Sequence, residues 1–326
     1  PANKLMPDVI TAFYPYYTLT KMEIESGRWP LWNPYELGGI PLMANAQTAI
    51  LYPPRLLHTL FDVPIATSLY ILLKLWLCGM TAFLCGRGIG FGPWAASAMS
   101  VAWMLCGYNV CWAYWSLPDV AVWLPVLFLG VEYILRGAYR KGGIVAAIGA
   151  ASMLLAGHPE TAFTSAFGVG VYFAIRLVGL LRTPLHARNA VLTVAAAWLV
   201  ALAVTAAQVL PLIEYIQNSL TYAQRTRAST EPVLPPSALV SFWIPRFYGT
   251  VAEGTYWGAG TLNSNVYMML YVGIPLWLAI PLGKFPGRAA RDTSRVWALA
   301  GAAVFGVLLA FNLEELRFIN ETPPLS

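Results

Sequence analysis

The chain has 326 residues, of which 58% are hydrophobic and 11% charged, and its mean hydropathy is +0.60. Soluble domains carry about 25% charged residues, so this composition argues against a large soluble α/β protein and indicates an all-α polytopic membrane protein. The formal net charge of +5 would suit nucleic acid, but no groove pattern of basic and aromatic residues accompanies it, and no nucleic-acid partner is expected.

The chain opens with a polar and aromatic segment. In "PDVITAFYPYY" and the residues after it, apolar side chains recur at roughly helical spacing, interrupted at Pro15, and Gly27 is a suitable stop. This pattern predicts one or two short helices in the membrane interface, anchored by tyrosines among the lipid headgroups. Asp8 is either a general base at the membrane surface or a helix N-terminal acid, which the helix macrodipole favours.

The stretch from Gly27 to Pro54 contains five prolines and three glycines, too many for a helix, and is too irregular for a strand. Its prolines, with Gly38 and Gly39, predict rigid turns. Neutral polar groups such as Asn33 and Gln47, together with the aromatic rings, would suit a sugar or a lipid headgroup. The alternative is an aromatic belt loop without a ligand. The aromatic residues are Trp29, Trp32, Tyr35 and Tyr52.

Eight apolar runs follow, near the length of roughly 17–25 residues that a transmembrane helix needs. The fourth is short and rich in Ala and Gly, so it is either a tilted span packed through small residues or half of a re-entrant hairpin with the fifth. The runs are 64–84, 94–112, 119–135, 142–157, 161–181, 190–212, 266–282 and 296–313. The predicted organisation is a first outer loop with interfacial helices (1–63), a six-span core (64–212), a second outer loop (213–265) and two further spans with an outer end (266–326).

The charges of the connecting segments alternate along the chain. One set of connections holds 11 basic residues and one acid, Asp292, whereas the other holds 8 basic residues and 13 of the 15 acids. Because cytoplasmic loops are enriched in Lys and Arg, the first set is expected to be cytoplasmic. The long loops rich in Pro and Trp then share the outer face, where we expect the protein to act.

Polar residues stand at the ends of several runs and inside one of them. In "LLAGHPETAF", His158 and Glu160 occupy an outer turn, where they either contact a substrate or cap the next helix. Asp119 begins a span and is either a helix N-terminal acid or a second active-site carboxylate. Lys74 lies within a span, where a charge is costly, and it either functions there, snorkels, or pairs with an acid outside this segment of the protein.

The sixth run ends in "QVLPLIEYIQNS", which places Glu214 on the outer face, and "YAQRTR" follows. Arg225 and Arg227 are closely spaced bases that would either hold a phosphate or lie in a solvated loop. No HExxH motif is present, and the four cysteines lie in apolar runs without zinc spacing.

Five motifs resemble those of the bacterial YfhO-type membrane proteins: "PDVITAFYPYY", "GRWPLWNPYELGGIPLMANAQTAILYPP", "LLAGHPET", "AAQVLPLIEYIQNS" and "YVGIPLWLAIPLG". Their order and spacing match along nearly the whole chain. That family is similar to the GT-C glycosyltransferases, membrane enzymes whose active site faces outward and whose donors are sugars carried on a polyprenyl phosphate. Because family members extend further, we interpret the chain as a fragment that lacks a first span and a C-terminal part.

The resemblance implies a GT-C-like fold in the bacterial cytoplasmic membrane. It also implies transfer of a sugar from a polyprenyl phosphate to a cell-surface glycopolymer or lipid acceptor on the extracytoplasmic face, with Asp8 as catalytic base. No DxD motif accompanies Asp8, so dependence on a divalent metal is left open, and no cofactor is assigned. The expected substrate-binding residues are Tyr14, Trp32, Asn33, Gln47, Asp119, His158, Glu160, Glu214, Arg225 and Arg227.

Two other functions fit an elaborate outer face. A transporter or flippase for lipids or small solutes would need paired intramembrane charges and often has inverted repeats. A non-enzymatic envelope assembly protein would bind a partner through its outer loops. The sequence shows one mid-span lysine and no internal repeat, which favours the glycosyltransferase.

Overall fold

The computed structural model describes residues 8–219, 235–250, 253–258, 267–271 and 293–310. These residues are mostly helical. Within these described ranges four helical segments are long and apolar enough to cross a membrane, whereas eight spans were predicted for the whole chain. They are Val63–Ile89, Leu117–Leu135, Pro159–Leu180 and Pro184–Gln217. The GT-C-like arrangement of these helices stays a prediction.

The described part of the chain begins with one continuous helical segment. A π-helical turn, Val9–Phe13, runs directly into helix α1, Tyr14–Glu25. Pro15 lies in the first turn of α1, directly after the π-helical turn, so the expected interruption is a change of helix type within one continuous segment. Gly27 follows the helix with a φ of 69°, in agreement with its predicted role as a stop.

The proline-rich stretch folds into turns around a small core. Leu42, Ala49 and Tyr52 are almost completely buried within it, so the loop is packed and does not lie loosely on the surface. Strands β1 and β2 form an antiparallel pair in which Trp32 lies opposite Pro41. The elements are β1 (Trp32–Asn33), β2 (Ile40–Pro41), two 3₁₀ turns (Ala46–Thr48 and Pro53–Leu56) and helix α2 (Leu57–Leu60).

Nine further helices follow among the described residues. They are α3 (Val63–Ile89), α4 (Pro93–Met104), α5 (Gly107–Cys111), α6 (Leu117–Ala121), α7 (Leu124–Leu135), α8 (Tyr139–Leu155), α9 (Pro159–Leu180), α10 (Pro184–Gln217) and α11 (Thr293–Ala310). The predicted run 266–282 lies mostly outside the described residues, and α11 covers most of the run 296–313.

The prediction of one continuous span over 94–112 is wrong, because the chain forms the two short helices α4 and α5 there. At the break, the Gly107 amide donates to the Tyr271 carbonyl (2.8 Å) and leaves the Trp103 carbonyl without its helical partner. The Asn109 side-chain amide donates to that carbonyl instead, at 2.7 Å. Irregular backbone at membrane depth requires such internal partners.

Helix α8 packs between α7 and α10 through small residues. A Cβ atom at Gly130 of α7 would lie 2.4 Å from the Ala146 amide nitrogen, and one at Gly149 of α8 would lie 2.7 Å from that of Leu127. The two backbones can therefore approach only because these positions are glycine. This is the close packing predicted for the fourth apolar run. The fifth run forms α9, which is long enough to cross a membrane by itself and does not need α8 as the other half of a re-entrant hairpin.

Candidate functional site

Three charged side chains meet where α3, α6 and the turn before α2 converge. Asp119, in the first turn of α6, is 0% exposed, and Arg55 Nη2 lies 2.8 Å from its Oδ2 atom. Lys74 Nζ lies 2.8 Å from Asp119 Oδ1 and also donates to the carbonyls of Ala113 (2.9 Å) and Trp115 (2.8 Å). Lys74 therefore does not snorkel to the membrane surface, and it does not depend on an acid outside this segment of the protein, since its partner is Asp119. The ion cluster below means Arg55, Lys74 and Asp119.

Aromatic rings enclose the ion cluster. The Arg55 guanidinium carbon lies 4.8 Å from the Tyr17 ring centre and 4.3 Å from that of Tyr70, and Lys74 Nζ lies 5.0 Å from the latter. Arg55 Nη1 also donates to the Tyr17 hydroxyl. The ring of His58 lies 4.2 Å from that of Tyr17. Cation–π contacts of this kind stabilise a buried cation more strongly than an exposed one.

Burial decides the protonation of the groups beside Arg55. It lowers the pKa of His58 to about 3, with the Arg55 charge acting in the same direction, so this imidazole is neutral at physiological pH. It raises the pKa of Tyr17 to about 12, so this phenol keeps its proton. Both rings are therefore neutral beside the Arg55 guanidinium, and the carboxylate that pairs with this guanidinium is that of Asp119.

The ion cluster joins the proline-rich loop to the long apolar helices. Arg55 Nη2 lies 3.3 Å from Ser116 Oγ, which in turn lies 3.5 Å from the Gln47 carbonyl. On the other side of the loop, Gln208 Nε2 of α10 donates to the Met43 carbonyl at 2.7 Å. These contacts hold the proline-rich loop in one conformation against several helices.

Gly157, in the turn before α9, also lies against this loop. A Cβ atom there would lie 2.7 Å from the Ala46 carbonyl oxygen, and the residue has a φ of 91°. The turn that carries His158 and Glu160 therefore lies beside the proline-rich loop.

Two carboxylates of this region, Asp8 and Glu36, differ in their surroundings. Asp8 is exposed at the start of the first helical turn and forms no hydrogen bond or ion pair with another described residue. Glu36 accepts hydrogen bonds from the Tyr16 hydroxyl (3.3 Å) and from Asn33 Nδ2 (3.3 Å), so its carboxylate is oriented. Burial, followed by the bond to Glu36, raises the pKa of Tyr16 to about 12. Glu36 was not among the predicted site residues, although it is the only acid between Gly27 and Pro54.

Large aromatic surfaces remain exposed around Glu36. Tyr35 is 81% exposed and Trp32 is 53% exposed, with the indole of Trp32 lying over Gly39. Gln47 is exposed as well, whereas Tyr14 is half-buried and packs with the core of α1. Flat exposed rings beside a carboxylate match the chemistry of sugar binding, which uses ring faces for C–H surfaces and carboxylates for hydroxyls.

His158 caps helix α9. Its Nδ1 atom accepts a hydrogen bond from the Thr161 amide at 3.2 Å, and Glu160 is exposed in the first turn of the helix. The capping alternative is therefore observed, and a substrate contact from the other face of the ring stays a prediction.

Glu214 is exposed near the end of α10, and Arg225 and Arg227 lie outside the described residues. The predicted role of Asp119 in substrate binding also stays a prediction. In the structure its carboxylate already pairs with Arg55 and Lys74.

A second buried carboxylate lies at the far end of α7. Glu132 is 0% exposed and pairs with Arg136 (3.1 Å), Arg176 (3.2 Å) and Arg295 (2.9 Å), while Tyr172 donates its hydroxyl to it. The sequence places these arginines in three connections of the cytoplasmic set, and the structure brings them together. The spacing of four between Glu132 and Arg136 was the only local signal for this cluster.

Within the described ranges, no group of three or more His, Cys, Asp or Glu side chains is arranged to hold a metal ion. Comparison with protein-family models, with curated proteins and with solved structures gives no significant match to this chain. The resemblance to the YfhO-type proteins thus rests on the sequence motifs alone.

Proposed function

We propose that this protein is a membrane glycosyltransferase of the bacterial cytoplasmic membrane that works on its outer face. It moves a sugar from a polyprenyl-phosphate donor to a cell-surface glycopolymer or lipid acceptor. The observation that supports this most is the packing of the proline-rich loop against the ion cluster. The loop presents exposed aromatic rings and an oriented carboxylate. A lipid-linked sugar has its tail in the bilayer and its sugar among the headgroups, the depth that we assign to this loop.

In the proposed reaction Asp8 takes the proton of an acceptor hydroxyl, and the hydroxyl oxygen attacks the anomeric carbon of the donor. The bond from that carbon to the phosphate oxygen breaks, and the lipid phosphate leaves with its electron pair. Asp8 suits the role of base because it is exposed and engages no other described residue. Arg225, Arg227 and His158 are the candidates for stabilising the leaving phosphate.

Glu36 is the carboxylate that we add to the proposed sugar site. The bonds from Tyr16 and Asn33 fix its orientation, and the exposed rings of Trp32 and Tyr35 lie in the same loop. A carboxylate held in this way can accept hydrogen bonds from sugar hydroxyls without losing further side-chain freedom. Asn33, Gln47, Glu160 and Glu214 would contribute further hydrogen bonds around the sugar.

The test uses the full-length protein in liposomes with a panel of radiolabelled polyprenyl-phosphate sugars and crude envelope acceptor. Release of lipid phosphate and transfer of label are measured for the wild type, Asp8→Asn and Glu36→Gln. Glu25→Gln is the matched control, because Glu25 is an exposed acid on the same helical segment as Asp8. We expect turnover that falls at least 100-fold in Asp8→Asn and is unchanged in the control. Folded wild-type protein that turns over no donor would count against the proposal.

The second candidate is a lipid or solute transporter, and the buried pairing of Lys74 with Asp119 favours it. Because the same pair also holds the outer loop, Lys74→Met would impair both functions and cannot separate them. Asp8→Asn separates them, since transport that does not use this exposed acid would survive the change. Lipid flipping in the same liposomes that persists in Asp8→Asn would favour the transporter.

A further inference from the structure

A groove of about 470 Å³ lies between α8 and α10, away from the proposed outer site. Its walls are apolar, and this volume lies within the range of roughly 300–1,000 Å³ found for small-molecule sites. The helices touch at its floor, where a Cβ atom at Gly143 would lie 3.1 Å from Thr193 Cγ2. The principal apolar lining residues are Ile144, Ala147, Leu192, Ala196 and Val200.

The two helices begin side by side at one end of this groove. Near the start of α8 the hydroxyl of Tyr139 lies 2.5 Å from Nδ1 of His186, a residue in the first turn of α10. Both helices start from connections of the basic set that the charge bias assigns to the cytoplasm. The groove thus runs from the cytoplasmic surface along the apolar faces of two membrane helices.

Two arginines stand at that end, and the described part of the chain gives neither of them an acidic partner. Arg140 lines the groove, and Arg188 lies one turn before Leu192, on the same stripe of α10. Both are exposed, and neither forms an ion pair or hydrogen bond with another described residue. The lining contains no acid. The groove is therefore apolar along its length and positively charged where it opens.

We propose that this groove holds one anionic phospholipid of the cytoplasmic leaflet, with an acyl chain against α8 and α10 and its phosphate between Arg140 and Arg188. Basic pockets between membrane helices on the cytoplasmic side suit anionic lipid headgroups. A free phosphate would leave the apolar walls unused, and a zwitterionic lipid would place its cationic headgroup beside the two arginines. The site is independent of the outer-face reaction.

The experiment uses the full-length protein in mild detergent and counts bound lipid by native mass spectrometry. The probes are dioleoyl phosphatidylglycerol and dioleoyl phosphatidylcholine, supplied at equal concentration. We expect the wild type to retain the phosphatidylglycerol preferentially. Arg140→Gln with Arg188→Gln should lower that retention by about 25-fold, about five-fold for each arginine, and leave phosphatidylcholine unchanged. Ala196→Leu, a substitution at an exposed position, should lower retention of both lipids by filling the groove.

Arg87→Gln is the matched control, because Arg87 is an exposed arginine of the same cytoplasmic set that lies outside the groove lining. Its lipid retention should equal that of the wild type. Equal retention of the two lipids by the wild type would overturn the proposal. So would a double variant that keeps its preference, unaltered binding in Ala196→Leu, or displacement of the lipid by an equal concentration of inorganic phosphate.

Discussion

Arg55 and Asp119 are 64 positions apart in the sequence, and Arg55 Nη2 lies 2.8 Å from Asp119 Oδ2 inside the protein. The pair joins the last turn of the outer loop to the start of α6. Because Lys74 of α3 holds the other carboxylate oxygen, one acid connects three elements that are separate in the sequence. The position of the proposed outer site therefore depends on a charge cluster that is almost completely buried.

Removing the carboxylate charge should strongly destabilise the protein. Asp119→Asn leaves Arg55 and Lys74 buried without a counter-charge, and breaking a buried pair in this way costs about 3–5 kcal/mol. Asp62→Asn is the matched control, since Asp62 pairs with Lys21 at 3.3 Å while its side chain is 83% exposed. Exposed pairs contribute about 0–1 kcal/mol. Thermal unfolding of both variants in detergent measures the difference, and equal shifts would show that burial of the pair is unimportant.

Stability should fall as the pH is lowered from 7 to 5, partly because of His58. Its pKa is about 3 in the folded protein, whereas its ordinary value is 6.5. Between these two pH values the unfolded chain therefore binds a proton on this side chain and the folded protein does not. At pH 5 this difference removes about 2 kcal/mol of stability, and more is lost as the pH falls towards 3. His58→Gln cannot take up this proton and should flatten the dependence. Unfolding curves at both pH values test this, and identical slopes for wild type and variant would contradict it.

Glu132 and Arg295 should be energetically coupled. Arg295 Nε lies 2.9 Å from the Glu132 carboxylate, and Arg295 Nη1 also donates to the Ile89 carbonyl at the end of α3 (3.0 Å). A double-mutant cycle of Glu132→Gln and Arg295→Gln should give a coupling energy within about 0.5–3 kcal/mol. Glu132→Gln with Arg87→Gln serves as the control cycle, because Arg87 contacts the Phe91 carbonyl and is not paired with Glu132. Additive effects in both cycles would exclude the coupling.

Gly157→Ala should impair the outer site more than an alanine at another glycine of positive φ. The substitution adds backbone strain of about 1–3 kcal/mol and places a Cβ atom 2.7 Å from the Ala46 carbonyl oxygen. Gly27→Ala introduces similar strain at a φ of 69°, with no atom within 4 Å of the new Cβ, and is the control. Under the proposed function the Gly157 variant also loses turnover, because the added methyl group displaces the proline-rich loop that carries the proposed site. Comparable melting temperatures and turnover in both variants would mean that this contact does not matter.

Much of the helical layout could be predicted from hydropathy and end signals. The span predicted at 64–84 lies within α3, and the Gly27 stop follows the end of α1. The break between α4 and α5 was not predictable, because the Gly107 amide finds its partner at Tyr271, far away in the chain. An apolar run looks the same in sequence whether its backbone bonds are local or not.

The candidate site was predictable only in part. Asp8, Asn33 and His158 were selected because polar residues are conspicuous in an apolar chain, and the structure describes their surroundings. Glu36 was overlooked, since its importance comes from the Tyr16 hydroxyl, 20 positions away. Arg55 was not predicted as a site residue, although it is 5% exposed and lies between the rings of Tyr17 and Tyr70.

The sequence by itself determined that long apolar helices dominate this protein and that its basic and acidic connections alternate. Both properties depend on composition and on neighbours within a few turns, which can be read along the chain. The tertiary structure alone decided that Lys74 pairs with Asp119 and that three arginines surround Glu132. Burying a charge is favourable only with a partner in place, and which partner arrives depends on how separate helices pack.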